Sequence, residues 1–452
     1  MRFSHFISLA AFSALACLVG RTNAELKNVF AHYLVGGMSG LDEAVQDVTD
    51  AKQMGLDAFA LNVQQPSPDF TTSSVGWLFE AANQNGFKLF FSFDMTTIGA
   101  PSDFLPLFNQ YVGNAAYYQH ESRPFVSTFD GGAKSFGASS PNQGWQQQFK
   151  DVLSGQGINP FFVPDFDDYT GSAGSTYDST FFSNYGVVDG VFSWESAWPE
   201  ISEGLVNVSD SKDQAGLQAA HAANKVYMMP LSSLQFKHID SGQNWYRIGE
   251  LNLPERIGQV LALQPDFVEI ITWNDAGESH YIGNNWPEAI SGAPAIQAYS
   301  NGYDHTSWQD VLAPFITAYK AGKTSLKDVT PFGAFAGAYW YRPLLKGASC
   351  SGDSLGKPQG WESAQDTINI AVLLPSNTSG TTIRVTSGGN VVANLATTAG
   401  LNYAAVPIST GAQKVELVDA SGNVLGAGSS TQDVVADTSG TCNFNYQVVH
   451  IA

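Results

Sequence analysis

Cysteine is nearly absent from this chain of 452 residues: Cys17, Cys350 and Cys442 are all there is. So few thiols exclude a disulfide scaffold, a zinc ribbon and a paired-cysteine redox motif. The eight histidines form no His-x-His or His-x-x-x-His pair, so zinc is not indicated. Basic residues are scarce too. Lys and Arg number 21 against 41 Asp and Glu, a formal charge of -20, and such a surface repels nucleic acid and anionic membrane. Charged residues make up only 14% and hydrophobic residues 44%, which excludes a disordered chain and supplies a large core. No dinucleotide fingerprint follows the first apolar run, and no serine nucleophile elbow is read from the sequence.

The first 24 residues read as a secretory signal. Arg2 gives a positive start, residues 7–19 an apolar stretch, and Thr22-Asn-Ala24 a small-residue cleavage site. No later stretch is long and apolar enough to span a bilayer, so the expectation is a secreted protein. Removing Arg2 and Arg21 leaves 19 basic residues against 41 acidic ones, a charge of -22 that suits a neutral substrate. Cys17 leaves with the signal, and in an oxidising compartment Cys350 and Cys442 are expected to pair. Asn207-Val-Ser and Asn377-Thr-Ser are glycosylation sequons.

From residue 25 one theme repeats: an apolar run, a polar loop, then an amphipathic stretch. The runs are residues 29–34, 58–63, 88–95, 125–129, 160–166, 190–194, 225–231 and 267–273. Eight such units at roughly thirty- to forty-residue spacing predict a (β/α)8 barrel over residues 25–338. Leu41, Ala44, Val45, Val48, Ala51 and Met54 mark the first connecting helix, with Gly55 as its stop. Beyond residue 338 short alternating runs separated by glycine turns predict an antiparallel β-sandwich over 339–452, with a packing role.

In such a barrel the active site lies at the carboxyl ends of the strands. Those ends carry Asn62, Asp94, Asp130, Asp165, Glu195, Asn274, Asp275 and Glu278. Asp165, Asp167 and Asp168 have the character of hard-cation ligands but lack the spacing of a calcium loop, so no metal is assigned. Asp94 closes an apolar run that has little other reason to hold a charge. Thr272-Trp-Asn-Asp-Ala-Gly-Glu-Ser-His-Tyr281 places Asp275 and Glu278 three residues apart where a strand becomes a turn. Paired carboxylates of this kind divide acid and base work. Aromatic and hydrogen-bonding neighbours suit a sugar cleft: His32, Trp194, Trp198, Trp245, Trp273, His280 and Tyr281.

These segments resemble the fungal α-1,3-glucanases, the mutanases of glycoside hydrolase family 71. The likeness rests on Val29-Phe-Ala-His-Tyr-Leu-Val-Gly36, Phe91-Ser-Phe-Asp94, Phe192-Ser-Trp-Glu195 and, most specifically, the segment 272–281. One departure is Ala276, where an aromatic residue is expected in related sequences. The resemblance implies endo-hydrolysis of α-1,3-glucan with inversion; a polysaccharide partner, no cofactor and a monomer are expected. It also implies that Asp94, Asp275 and Glu278 are the catalytic carboxylates. The expected roles are Glu278 as general acid and Asp275 as general base, or the two exchanged, about 6.5–9.5 Å apart, with Asp94 holding the water or sharing base duty. Two other readings stand beside this one: a barrel glycosidase for another linkage, and a wall-binding protein with a silent cleft.

Overall fold

The computed structural model describes residues 27–452, so the expected signal, with Cys17, lies outside the described residues. The fold is mixed α/β. Strands β1 (Asn28–Leu34), β2 (Ala58–Val63) and β3 (Lys88–Asp94) come first. The two-residue β4 (Gln119–His120), β5 (Arg123–Phe129), β6 (Phe161–Phe162) and β7 (Gly190–Phe192) follow. Next come β8 (Val226–Ser232), a hairpin of β9 (Gln235–Asp240) and β10 (Gln243–Arg247), and β11 (Phe267–Ile271). A curled parallel sheet runs β5-β3-β2-β1-β11-β8-β7, with β6 on the other side of β5 and β4 antiparallel to β5. Beyond β6 the backbone reaches β7: Asp189 N donates to Phe162 O at 2.8 Å and Phe192 N to Pro164 O at 2.9 Å. Each predicted run of the first 273 residues therefore contains an observed strand.

Side-chain alternation explains the two faces of this sheet. On β1, Phe30 points inward and meets Phe90, Phe125 and Phe267. Tyr33 points outward to the helix Leu41–Met54, where its hydroxyl donates to Asp47 at 2.7 Å. That helix ends as its sequence predicts, with Gly55 at φ 92°. Asp47 is fully buried and takes three more donors: Trp273 Nε1 at 3.0 Å, Asn284 Nδ2 at 2.9 Å and Trp286 Nε1 at 2.9 Å. Burial pushes its carboxyl upward, and the four donors oppose that shift. Asp47→Ala strands all four donors in the interior. The expected result is a loss of about 3–5 kcal/mol, read as a lower midpoint of denaturant unfolding.

The remainder comprises β12 (Ala336–Tyr341), β13 (Thr367–Leu374), β14 (Thr382–Ser387), β15 (Asn390–Ala396), β16 (Gly400–Pro407), β17 (Gln413–Val418), β18 (Val424–Ser429) and β19 (Gln447–His450). They build two four-stranded antiparallel sheets, β16-β13-β12-β19 and β15-β14-β17-β18. The boundary expected after residue 338 falls inside β12. Alternation along β12 shows why the sequence blurred it. Trp340 joins the core of the parallel-sheet region, and its Nε1 donates to Glu250 O at 2.8 Å, whereas Tyr339 and Tyr341 join a second core shared by the two antiparallel sheets. Cys350 and Cys442 are disulfide-bonded across 92 residues, as expected. Asn207 and Asn377 are both exposed. No helix among the described residues is long and apolar enough to cross a membrane.

Candidate active site

A cavity of about 370 Å³ opens at the carboxyl ends of the parallel strands, and Asp94, Asp275 and Glu278 all line it. His32, Asn62, Trp194 and Glu195 line it as well. These seven residues, all expected to act or bind, thus converge from five separate stretches of chain.

The segment after β11 is folded back on itself. Thr272 N donates to His280 O at 2.8 Å, and Ile282 N donates to Thr272 O at 3.1 Å. Within this loop the backbone N–H of Asp275 donates to Thr272 Oγ1, and that of Glu278 to Asp275 Oδ1, each at 3.0 Å. The three-residue spacing therefore closes a tight turn with both carboxylates on one side. Glu278 is surrounded by donors. Gln235 Nε2 lies 2.5 Å and His280 Nε2 3.1 Å from Oε2, while Lys237 Nζ lies 3.2 Å from Oε1. Burial alone would raise its pKa, but the hydrogen bond and charge of His280, with Lys237 and Gln235, hold it at about 2. Asp275 moves the other way. Burial raises it and the Glu278 charge adds to this, against His280 and Lys237.

Asp94 ends β3. Its Oδ1 accepts from Thr96 N at 2.9 Å and from Thr96 Oγ1 at 2.5 Å. Oδ2 has no protein donor among the described residues, which leaves it available to a ligand or water in the cavity. His32 is oriented from below by Glu269, with Nδ1 2.7 Å from Oε1, and its Nε2 is likewise unpartnered. Buried polar atoms without partners beside a cavity mark places where a ligand hydroxyl completes the bonding.

Five expected binding residues do not line this cavity. Trp273 is fully buried in the outer layer, against Phe59 and Asp47, because the chain leaves the sheet at Ile271 and alternation no longer aims the next side chains inward. Asn274 clips Leu34, accepting from its N–H at 2.8 Å and donating to its carbonyl at 3.0 Å. His280 is buried behind the two carboxylates and sets their charge. Trp198 packs on His280, at 5.6 Å between ring centroids, and under the Arg247 guanidinium. Tyr281 stacks on His305 and faces a different cavity. Ala276 is buried with Tyr281 and Ile290, so this departure from the expected aromatic residue does not alter the cavity lining.

Sequence reasoning missed Gln64, Gln235, Lys237 and Arg247, all of which line the cavity. Three of them come from the β9–β10 hairpin, which also brings in Trp245, expected in a loop. The signal for it was Asp240-Ser-Gly242, a turn between two short alternating runs.

Two groups have cation-ligand geometry. Ligand atoms of Asp275, Glu278 and His280 lie within 4.8 Å of one another, as do oxygens of Asp130, Asp165 and Asp167. In the second group burial, then neighbouring carboxylates, push Asp130 and Asp167 up to about 7 and Asp165 well above its usual range. Asp168, the third member of the triplet singled out from sequence, instead accepts from Gly132 N at 2.6 Å. Gly352-Asp-Ser-Leu-Gly356 has the spacing of a nucleophile elbow, but it lies in turn backbone between β12 and β13, not between a strand and a helix.

Paired carboxylates in an amide- and aromatic-lined cleft at parallel strand ends are a setting in which glycoside hydrolases work. The chain belongs to glycosyl hydrolase family 71, whose family model matches residues 25–452. It is 32% identical to the glucan endo-1,3-alpha-glucosidase agn1 of Schizosaccharomyces pombe, over 95% of this chain and 96% of that one. It is 33% identical to a mutanase of Penicillium rubens, over 94% of this chain and 89% of that one. An ascus wall endo-1,3-alpha-glucanase of Schizosaccharomyces pombe is 30% identical over 84% of this chain and 86% of its own. Among solved structures, an endo-alpha-mannosidase from Bacteroides thetaiotaomicron aligns with TM-score 0.48 at 10% identity, over 65% of this chain and 98% of that chain.

Proposed function

We propose that this protein hydrolyses internal α-1,3-glucosidic bonds of α-1,3-glucan, the substrate class in the names of its family 71 relatives. The observation that carries this reading is the shared cavity of Asp94, Asp275 and Glu278, in which Asp275 is pushed up and Glu278 is held ionised. Reducing-sugar release tests it. Insoluble α-1,3-glucan is expected to be cleaved at least about tenfold faster than starch, dextran or β-1,3-glucan; equal or greater release from another glucan would assign the linkage elsewhere. No release from any glucan would favour a wall-binding protein.

We assign the carboxylate roles in the exchanged order, which the direction of the two shifts supports: Asp275 up, Glu278 down. Asp275 is the proton donor, because its acidity is lowered where a donor must keep its proton. Glu278 is a standing negative charge that keeps that proton on Asp275. Asp94 is the base. Nearest oxygens of Asp275 and Glu278 lie within 4.8 Å, closer than the span expected for an inverting pair. Between β11 and β3 stand β1 and β2, so Asp94 enters the shared cavity from a strand end three places away from Asp275, where a base could hold a water. Inversion is the stereochemistry this arrangement favours.

The parallel sheet closes, in this reading, into an eight-stranded (β/α)8 barrel over residues 25 to about 335. The β6–β7 backbone bonds and the Asp165–Phe192 bridge support it. The two antiparallel sheets form a β-sandwich module that follows. Secretion into an oxidising, wall-facing compartment is supported by the disulfide, the exposed sequons and the ascus wall relative.

A further inference from the structure

We infer that Asp353, in the C-terminal part of the chain and outside the cavity, is a positioning residue for Glu278; this rests on the reading of Glu278 as part of the catalytic set. The β9–β10 hairpin forms a two-stranded sheet of its own, bridged to the C-terminal region at Trp245–Gln359, and a two-stranded ribbon alone is marginal in water. Its order must come from what docks on it. Successive residues of a strand face opposite sides, so Lys237 and His238 are neighbours with different duties. Lys237, with Gln235, reaches Glu278, and Phe236 N donates to Glu278 O at 2.9 Å. His238 faces away and is nearly fully buried. Its Nε2 lies 2.7 Å from Asp353 Oδ2, and its Nδ1 lies 2.7 Å from Asn244 Oδ1 across the hairpin.

Asp353 is itself fixed. The same Oδ2 accepts from Cys442 N at 2.7 Å, and Oδ1 accepts from Leu355 N at 2.9 Å. Cys442 is bonded to Cys350, so the disulfide ties both stretches of chain that carry this carboxylate. A second tether lies alongside: Tyr246 N donates to Gln359 O at 2.8 Å, and Gln359 N to Asn244 O at 2.9 Å. The C-terminal region therefore holds the far face of the ribbon whose near face supplies two of the three side-chain donors to Glu278.

The test is a pH–rate comparison on α-1,3-glucan, with a double-mutant cycle. Asp353→Ala is expected to lower kcat about 10- to 100-fold. With Lys237 displaced, Asp275 loses a positive charge that lowers it, so the basic limb of kcat/KM moves to higher pH. Lys237→Met alone should do the same, and adding it to Asp353→Ala should cost far less than it costs the wild-type protein. If Asp353→Ala does not accumulate folded, Asp353→Asn is read in the same two assays. An unmoved basic limb with multiplicative losses overturns the positioning role. Full activity in Glu278→Gln is a separate outcome: it removes Glu278 from catalysis, whatever Asp353 does.

Discussion

Asp275→Asn is expected to lower turnover of α-1,3-glucan by about 10³-fold or more, with unchanged unfolding temperature and little change in glucan binding. An amide cannot protonate the departing oxygen, and for an unactivated sugar leaving group that proton is most of the help available. The loss should shrink to about tenfold or less on a substrate whose leaving group needs no proton, such as a dinitrophenyl glycoside. The pH profile gives the sign. Burial and the Glu278 charge raise Asp275, so its active, protonated form persists to higher pH than an ordinary aspartate allows. Activity then falls as pH rises through that value. Glu278→Gln removes one raising cause, so its basic limb is expected at lower pH than in the wild-type protein. If the activated substrate suffers as much as the polysaccharide, Asp275 is not the donor.

The parts of this molecule that were legible in its sequence are those with a single physical cause. An inward-facing apolar run bounded by polar residues makes a buried parallel strand, so eight of them could be placed to within a few residues. The gathering of Asp94, Asn62, Glu195, Asp275 and Glu278 followed from the rule that strand ends converge. What was hidden depended on two causes at once. Trp273 reads as a cleft aromatic beside Asp275, yet the chain turns at Thr272 and the indole goes to Asp47, a residue more than two hundred positions away. His280 reads as a sugar ligand, but burial makes it an electrostatic partner of Glu278. Lys237 and Gln235 gave no local sign of function, because their role exists only once the hairpin is docked. Spacing identifies a carboxylate pair, whereas the acidity of each member is set by neighbours from β9 and by depth.

Asp94→Ala is expected to cost about 10³-fold in hydrolysis and, unlike Glu278→Ala, to be rescued by a small anionic nucleophile such as azide. The contrast follows from how each carboxylate is bonded. Asp94 keeps Oδ2 free of protein donors, so its removal opens a space on the water side of the cavity with no cation left unpaired. Azide placed there attacks the anomeric carbon directly, and an α-linked glucan gives the β-glycosyl azide, the inverted product. Removing Glu278 instead leaves Lys237 and His280 without their shared carboxylate and takes away a charge that keeps the proton on Asp275. Added azide restores neither. The anomer of the azide, followed by nuclear magnetic resonance at early times, decides the matter. A β-azide from Asp94→Ala places the water on the β3 side; an equal rescue of Glu278→Ala would move base duty to Glu278, and an α-azide would contradict single-step inversion.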